Sequence, residues 1–279
     1  MDSMNILICT DGSKASEVAA KQVILFQFPP DTRAVLFHVV EKKTEQKALE
    51  PIISPCERVL SYYFQTVERK VVLGNATARI LAESREQHYD LIALGVTGTG
   101  WGLKRQRIGS NASKIARQVE TPLLLARPYS DVLKKVLVCT GGESPSSEMM
   151  HKAGFLVSLS KAQVGVLHVM SQLALSTSRQ TDDLLDTAKT AMERRTWEGL
   201  HLTWAVDQIR QSGVTAPIDP IIRHGLVVDQ IMAELREGKY DLLVIGSHHV
   251  SGRSRTLEVF LEDVARDLVC AAPCSVLII

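Results

Sequence analysis

Residues 90–127 read DLIALGVTGTGWGLKRQRIGSNASKIARQVETPLLLAR. The run Leu91 to Leu94 is apolar and of strand length. Gly95 breaks it, and Gly98, Gly100 and Gly102 follow in a loop that also carries Lys104, Arg105 and Arg107. Gly109-Ser110 opens a segment predicted to be helical from Asn111 to Val119, and Pro122 leads into a second apolar run, Leu123 to Ala126. A strand, a glycine-rich loop and a helix start make a layout suited to phosphate. Glycines let the backbone approach an oxyanion closely and take positive φ. Unpaired N–H groups at a helix start point toward negative charge. The same residues also suit a glycine-rich connection that holds no ligand.

Outward from this stretch, the chain repeats itself. Asn5 to Thr10 reads NILICT and Lys135 to Thr140 reads KVLVCT, an offset of 130. Leu36-Phe37-His38-Val39 meets Val166-Leu167-His168-Val169 at the same offset. Gly74 meets Gly225 at an offset of 151, as do Ile80, Glu83, Tyr89-Asp90 and Gly95 with Ile231, Glu234, Tyr240-Asp241 and Gly246. The second copy therefore holds 21 extra residues between its second and third strands. Shared apolar positions are expected of any two α/β units, but paired His, Glu and Tyr-Asp positions in one order indicate an internal repeat.

Each copy alternates short apolar runs with amphipathic segments. In the first, the predicted strands are Ile6 to Cys9, Ala34 to Val40, Glu68 to Leu73, Leu91 to Leu94 and Leu123 to Ala126. The predicted helices run from a Ser13 cap to about Phe28, from an uncertain start towards Gln65 with breaks near Pro51 and Pro55, from Ala76 to Gln87, and from Asn111 to Val119. Short, wholly apolar strands between such helices indicate a parallel sheet covered on both faces. The expected architecture is α/β: two tandem doubly wound five-stranded parallel-sheet domains, residues 1–130 and 131–279, related by a pseudo-twofold axis and joined by a linker from Arg127 to Lys134. Ligands in such folds sit at the carboxyl ends of the strands, near the point where strand order reverses.

The chain has 279 residues, 45% hydrophobic and 23% charged, enough to bury a large core. A formal charge of +1, from 32 basic and 31 acidic residues, leaves no general electrostatic footprint for nucleic acid. Five scattered cysteines do not form a disulfide framework and point to a reducing, cytoplasmic setting. No signal peptide is read at the N-terminus, and no apolar run approaches the ~18 residues of a membrane span. No Walker lysine, GxSxG or HExxH motif is present.

The motifs together resemble those of universal stress proteins, over nearly the whole chain. The nucleotide-binding type of that family carries Gly, two residues, Gly, nine residues, then Gly with Ser or Thr. Here Gly95 and Gly98 fit, while ten residues separate Gly98 from Gly109-Ser110. TDGS at Thr10 to Ser13, LFHVV at Leu36 to Val40 and GNATARIL at Gly74 to Leu81 also correspond, and SVLII at Ser275 to Ile279 resembles the family's closing strand. The resemblance implies a tandem universal stress protein that binds ATP or a related adenine nucleotide, with magnesium as a candidate companion ion. It implies Thr10, Asp11, Val39, Gly95, Gly98, Gly109 and Ser110 as the binding residues, Val39 lining the adenine pocket. It also implies that the closing strands, which pair across the dimer in the family, pair within this chain.

Asp11 has a second reading, as a cap for the helix that follows it. In the second copy its counterpart is Gly141, and Gly109-Ser110 falls on Glu262-Asp263, so that copy is expected to be degenerate toward triphosphate. His248-His249 reads as a solvated loop, His38 and His168 as makers of structural hydrogen bonds, and Cys9 and Cys139 as small buried residues. The expected function is regulatory ligand binding in a stress response, with at most slow ATP hydrolysis. A homodimer and an unidentified protein partner are further expectations. The alternative is a nucleotide-free scaffold or protein-interaction module of the same fold.

Overall fold

The computed structural model describes residues 3–41, 49–96, 108–128, 130–141, 147–170, 187–246 and 264–279. The first copy runs β1 (Asn5–Thr10), α1 (Lys14–Ile24), β2 (Arg33–Val40), α2 (Glu50–Ser61), β3 (Val67–Leu73), α3 (Ala76–Glu86), β4 (Leu91–Gly95), α4 (Ser110–Ala116) and β5 (Leu123–Ala126). The second runs β6 (Lys135–Thr140), α5 (Ser147–Ser160), β7 (Gln163–Met170), α6 (Ala188–Glu193), α7 (Trp197–Gln211), β8 (Ile218–His224), α8 (Val227–Gly238), β9 (Leu242–Ile245) and β10 (Ser275–Ile278). By contacts the chain falls into two compact units, residues 1–131 with 273–278, and residues 132–272 with 279.

In the first unit the strands lie in the order β3-β2-β1-β4-β5-β10. The first five are parallel, in keeping with the parallel sheet expected from their apolar runs. Ile6, Leu7 and Ile8 of the central strand are wholly buried, which leaves no solvated face for alternation. β10, the closing strand of the second copy, runs antiparallel to β5, with Val276 opposite Leu125 and Ile278 opposite Leu123. Both strands are buried along their length. Their pairing removes an apolar edge that would otherwise template aggregation.

The helices depart from the sequence reading in places. Ser13 caps α1 as expected, its hydroxyl accepting from the Ser16 N–H, but the helix ends at Ile24. Gln27 takes positive φ, and Phe26 and Phe28 turn into the core. In α2, Pro51 sits in the first turn, where a missing N–H costs nothing. Pro55 lies inside the helix instead of breaking it, and burial of Ile53, Cys56 and Leu60 on either side holds that helix against the sheet. α4 stops at Ala116, short of Val119.

The second unit repeats the scheme with a parallel sheet in the order β9-β6-β7-β8. The paired residues of the repeat make the same contacts in each unit. Gly74 and Gly225 both take positive φ, +145° and +135°, at the turn into α3 and α8. Tyr89 donates to buried Glu83 at 2.7 Å, and Tyr240 to buried Glu234 at 3.0 Å. Asp90 accepts from the Asn5 N–H and Asp241 from the Lys135 N–H, each holding the start of its first strand. These shared contacts give the paired Gly, Glu and Tyr-Asp positions the same structural role in both units.

Candidate functional site

A cleft of about 280 Å³ opens at the carboxyl ends of β1, β2 and β4 in the first unit. β1 lies between β2 and β4, and the strand order reverses between β1 and β4. Chains leaving the two strands there diverge to opposite faces of the sheet, which opens a crevice without removing core. Thr10, Asp11, Val39, Gly95, Gly109 and Ser110 all line this cleft. Gly98, the remaining residue of the set, lies outside the described residues, as do Gly100, Gly102, Lys104, Arg105 and Arg107.

Asp11 stands exposed just past β1, and its Oδ1 accepts the Ser13 N–H at 3.0 Å. The capping reading of Asp11 therefore holds in a modified form: Ser13 caps α1, and Asp11 braces the turn before it. Gly12 between them takes φ +76°, which an L side chain resists. Thr10 has little left to offer a ligand. Its hydroxyl meets Ser16 Oγ at 3.0 Å and accepts the Gly12 N–H at 3.2 Å, and its carbonyl accepts from His38 Nδ1 at 2.8 Å. Its role in the cleft is to hold the Asp11 turn against α1.

Gly95 has a packing reason beside any ligand role. A Cβ there would stand 2.5 Å from the Ala15 carbonyl carbon, so only glycine lets α1 lie this close to β4. Gly109 departs from the expectation of an N–H aimed at phosphate, because it donates to the Val96 carbonyl at 2.7 Å. That bond ties the start of α4 to the end of β4. Gly109 is the cap of α4, with no side-chain cap bond, and Ser110 begins the helix at the rim of the cleft.

The apolar wall was less legible in the sequence. Phe37 lines the cleft two residues before Val39, and the two-residue period of a strand would have found it. Ile80, Ile115 and Leu94 complete that wall. Cys9 also faces the cleft, and burial first, then the charge of Glu83, pushes its thiol far above the ordinary range. It is inert as a nucleophile. Asp11 is the one charged side chain lining the cleft among the described residues.

The second unit keeps the structural half of this arrangement. His168 Nδ1 donates to the Thr140 carbonyl at 3.2 Å, as His38 does to Thr10. Gly141 stands in place of Asp11. Glu262-Asp263 and His248-His249 lie outside the described residues. None of the five cysteines forms a disulfide. Among the described residues no group of three or more His, Cys, Asp or Glu could hold a metal ion, and no helix is long and apolar enough to cross a membrane.

Comparison with known proteins agrees with this fold. Universal stress protein YxiE of Bacillus subtilis (strain 168) is 26% identical over 155 residues, covering 53% of this chain and 99% of that protein. A universal stress protein from Archaeoglobus fulgidus DSM 4304 has a TM-score of 0.68 at 15% identity, covering 100% of this chain and 98% of its own. A functionally unknown protein from Pseudomonas aeruginosa PAO1 has a TM-score of 0.63 at 15% identity, covering 100% and 92%. The profile of the universal stress protein family matches twice, over residues 3–127 and 133–279, and the chain accordingly belongs to that family.

Proposed function

We propose that the first unit binds an adenine nucleotide, ATP or a relative of it, in the cleft at the ends of β1, β2 and β4, and that the chain acts as a regulatory ligand-binding protein in a stress response. The observation that carries this reading is the convergence of Thr10, Asp11, Val39, Gly95, Gly109 and Ser110, chosen from separate parts of the sequence, on one cleft. The chemistry of its walls suits the ligand. Phe37, Val39 and Ile80 offer an apolar slot for a base, and the Asp11 carboxylate can accept from a ribose hydroxyl or an exocyclic amine. Among the described residues a magnesium ion would find only that carboxylate, so it would be held jointly with the ligand's phosphates.

Binding is proposed rather than turnover. The cleft offers a carboxylate and hydroxyls, but Thr10 is committed to its turn and Cys9 is protonated. The scaffold reading is favoured by one observation, the bond from the Gly109 N–H to Val96, which withdraws a donor from any phosphate. Titration calorimetry of the full chain with adenosine, AMP and ATP separates the two. Binding by the wild-type chain, weakened at least tenfold in Asp11→Asn, is the expected result, and tenfold corresponds to about 1.4 kcal/mol. Asparagine keeps an acceptor for the Ser13 N–H, so the turn survives while the charge is lost. No heat with any of the three ligands would leave the scaffold reading standing.

A further inference from the structure

The second unit carries a side-chain cluster with no counterpart among the described residues of the first. α7 presents Trp197, His201 and Trp204, spaced about one helical turn apart. His201 stacks on Trp197, with ring centroids 5.5 Å apart and planes within 8°. The Trp204 ring lies 6.0 Å away. From β7, His168 approaches His201 to 4.8 Å between ring centres. Thr140 at the end of β6 joins the two, its hydroxyl 2.9 Å from His201 Nε2 and its carbonyl accepting from His168 Nδ1. At the end of β8, His224 pairs in register with Met170 and shares the sheet face of His168, because parallel partners and alternate residues lie on one side. Both ring nitrogens of His224 are buried, without a hydrogen-bond partner among the described residues. In the first unit α2 has no histidine, so His38 faces no second imidazole from it.

Most charged groups on the described elements around this cluster are engaged elsewhere. Buried Glu198 of α7 is the carboxylate that acts on both His168 and His201. On α5, His151 is bonded to Ser212 Oγ and Glu148 is paired with Lys152. Lys189 and Glu193 of α6 pair in solvent. On β8, Arg223 is engaged by Glu234 and Glu237 of α8. Neutral His201 and His168 satisfy the geometry, each with a ring nitrogen bonded to Thr140. A cation on His201 or His168 would repel the other ring at close range.

We propose that His168 and His201 form an acid-responsive latch, in which proton uptake releases the first turns of α7 from the ends of β7 and β8. Burial, then the charge of His168, pushes His201 down from 6.5 to about 4, against the pull of Glu198. Burial foremost, with His224 adding to it, lowers His168 against the Thr140 hydrogen bond and Glu198. The released or unfolded segment therefore takes up protons first as pH falls. The stability of the closed arrangement is complete above about pH 6.5 and drains away between there and about pH 4. Opening would enlarge the apolar surface that half-exposed Trp197 and Leu200 already present.

The test uses the full chain with Trp101→Phe, so that tryptophan emission reports only Trp197 and Trp204, together with hydrogen exchange read by mass spectrometry. Between pH 7.5 and about 4, the expected result is a reversible change in emission and faster exchange across Trp197–Gln211, while Glu50–Ser61, the corresponding helix of the first unit, stays protected. His201→Asn should move the midpoint by about one pH unit or more. His88→Asn, at an exposed side chain of the first unit, should leave it in place. Unchanged exchange of α7 across this range would overturn the proposal, as would α2 opening in step with it. These two readings need only the histidine-complete chain and decide the matter even if a histidine variant does not fold.

Discussion

Three residues of the cleft do their work through contacts that only the folded chain reveals. Gly95 is the sharpest case. Its place at the end of β4 suits a ligand, but the approach of Ala15 already demands glycine. Gly95→Ala should therefore lower stability by about 1–3 kcal/mol, because backbone and not a flexible side-chain end must yield. Denaturant unfolding checks this, and a midpoint equal to wild type would show that α1 can move aside freely. Asp11 and Thr10 form the second case. Asp11→Ala removes both the carboxylate and the acceptor for the Ser13 N–H, so it should weaken nucleotide binding as Asp11→Asn does and also cost about 1 kcal/mol of stability. A stability equal to that of Asp11→Asn would mean the brace contributes nothing.

At the scale of elements, the two copies share contacts that hold helix to strand. The buried carboxylate of Glu83 lies between Tyr89 and Lys70, and that of Glu234 between Tyr240 and Arg223. Tyr89→Phe and Tyr240→Phe should each cost about 1–3 kcal/mol, since each leaves a buried carboxylate short of a donor. Similar losses from both variants are expected because the geometry repeats. A loss from one alone would mean that the repeat is conserved in form but not in energetics. The closing strand makes a different demand. β10 covers β5 through Val276, Leu277 and Ile278, and truncation after Cys274 should bare an apolar edge and drive association. Light scattering that shows an unchanged species would contradict this.

For the molecule as a whole, the repeat predicts symmetry in structure and asymmetry in ligand binding. The shared Gly, Tyr, Glu, Asp and His contacts keep both units folded in one manner. The charged residue of the cleft survives in one copy only, because Gly141 replaces Asp11. Calorimetry should give one adenine nucleotide per chain, with Gly141→Asp creating no second site by itself. Two equivalent sites would refute the division of labour. The second unit has instead gathered histidines and tryptophans where α7 meets β7 and β8, so ligand and acidity would act on different halves of the chain.

The α/β class, the strand positions and the twofold repeat were legible in the sequence because each rests on local pattern. A short, β-branched apolar run between amphipathic segments is well satisfied by a strand buried on both faces. Paired Tyr-Asp and Glu positions at one offset require the same helix–strand contacts twice. The candidate cleft residues were legible too, since motif residues at strand ends share the sheet's carboxyl edge wherever the strands order themselves. What needed the tertiary structure was the use of each group. Pro55 reads as a breaker, yet packing of Ile53, Cys56 and Leu60 keeps the helix intact. Gly109 reads as a phosphate donor, yet its N–H is taken by Val96, thirteen residues away in sequence. The meeting of His168, His201 and His224 lay beyond any local pattern, for they come from three elements joined only by the packing of α7 on the sheet. A sequence records which groups a chain carries, whereas partners and burial, which set their chemistry, are properties of the folded neighbourhood.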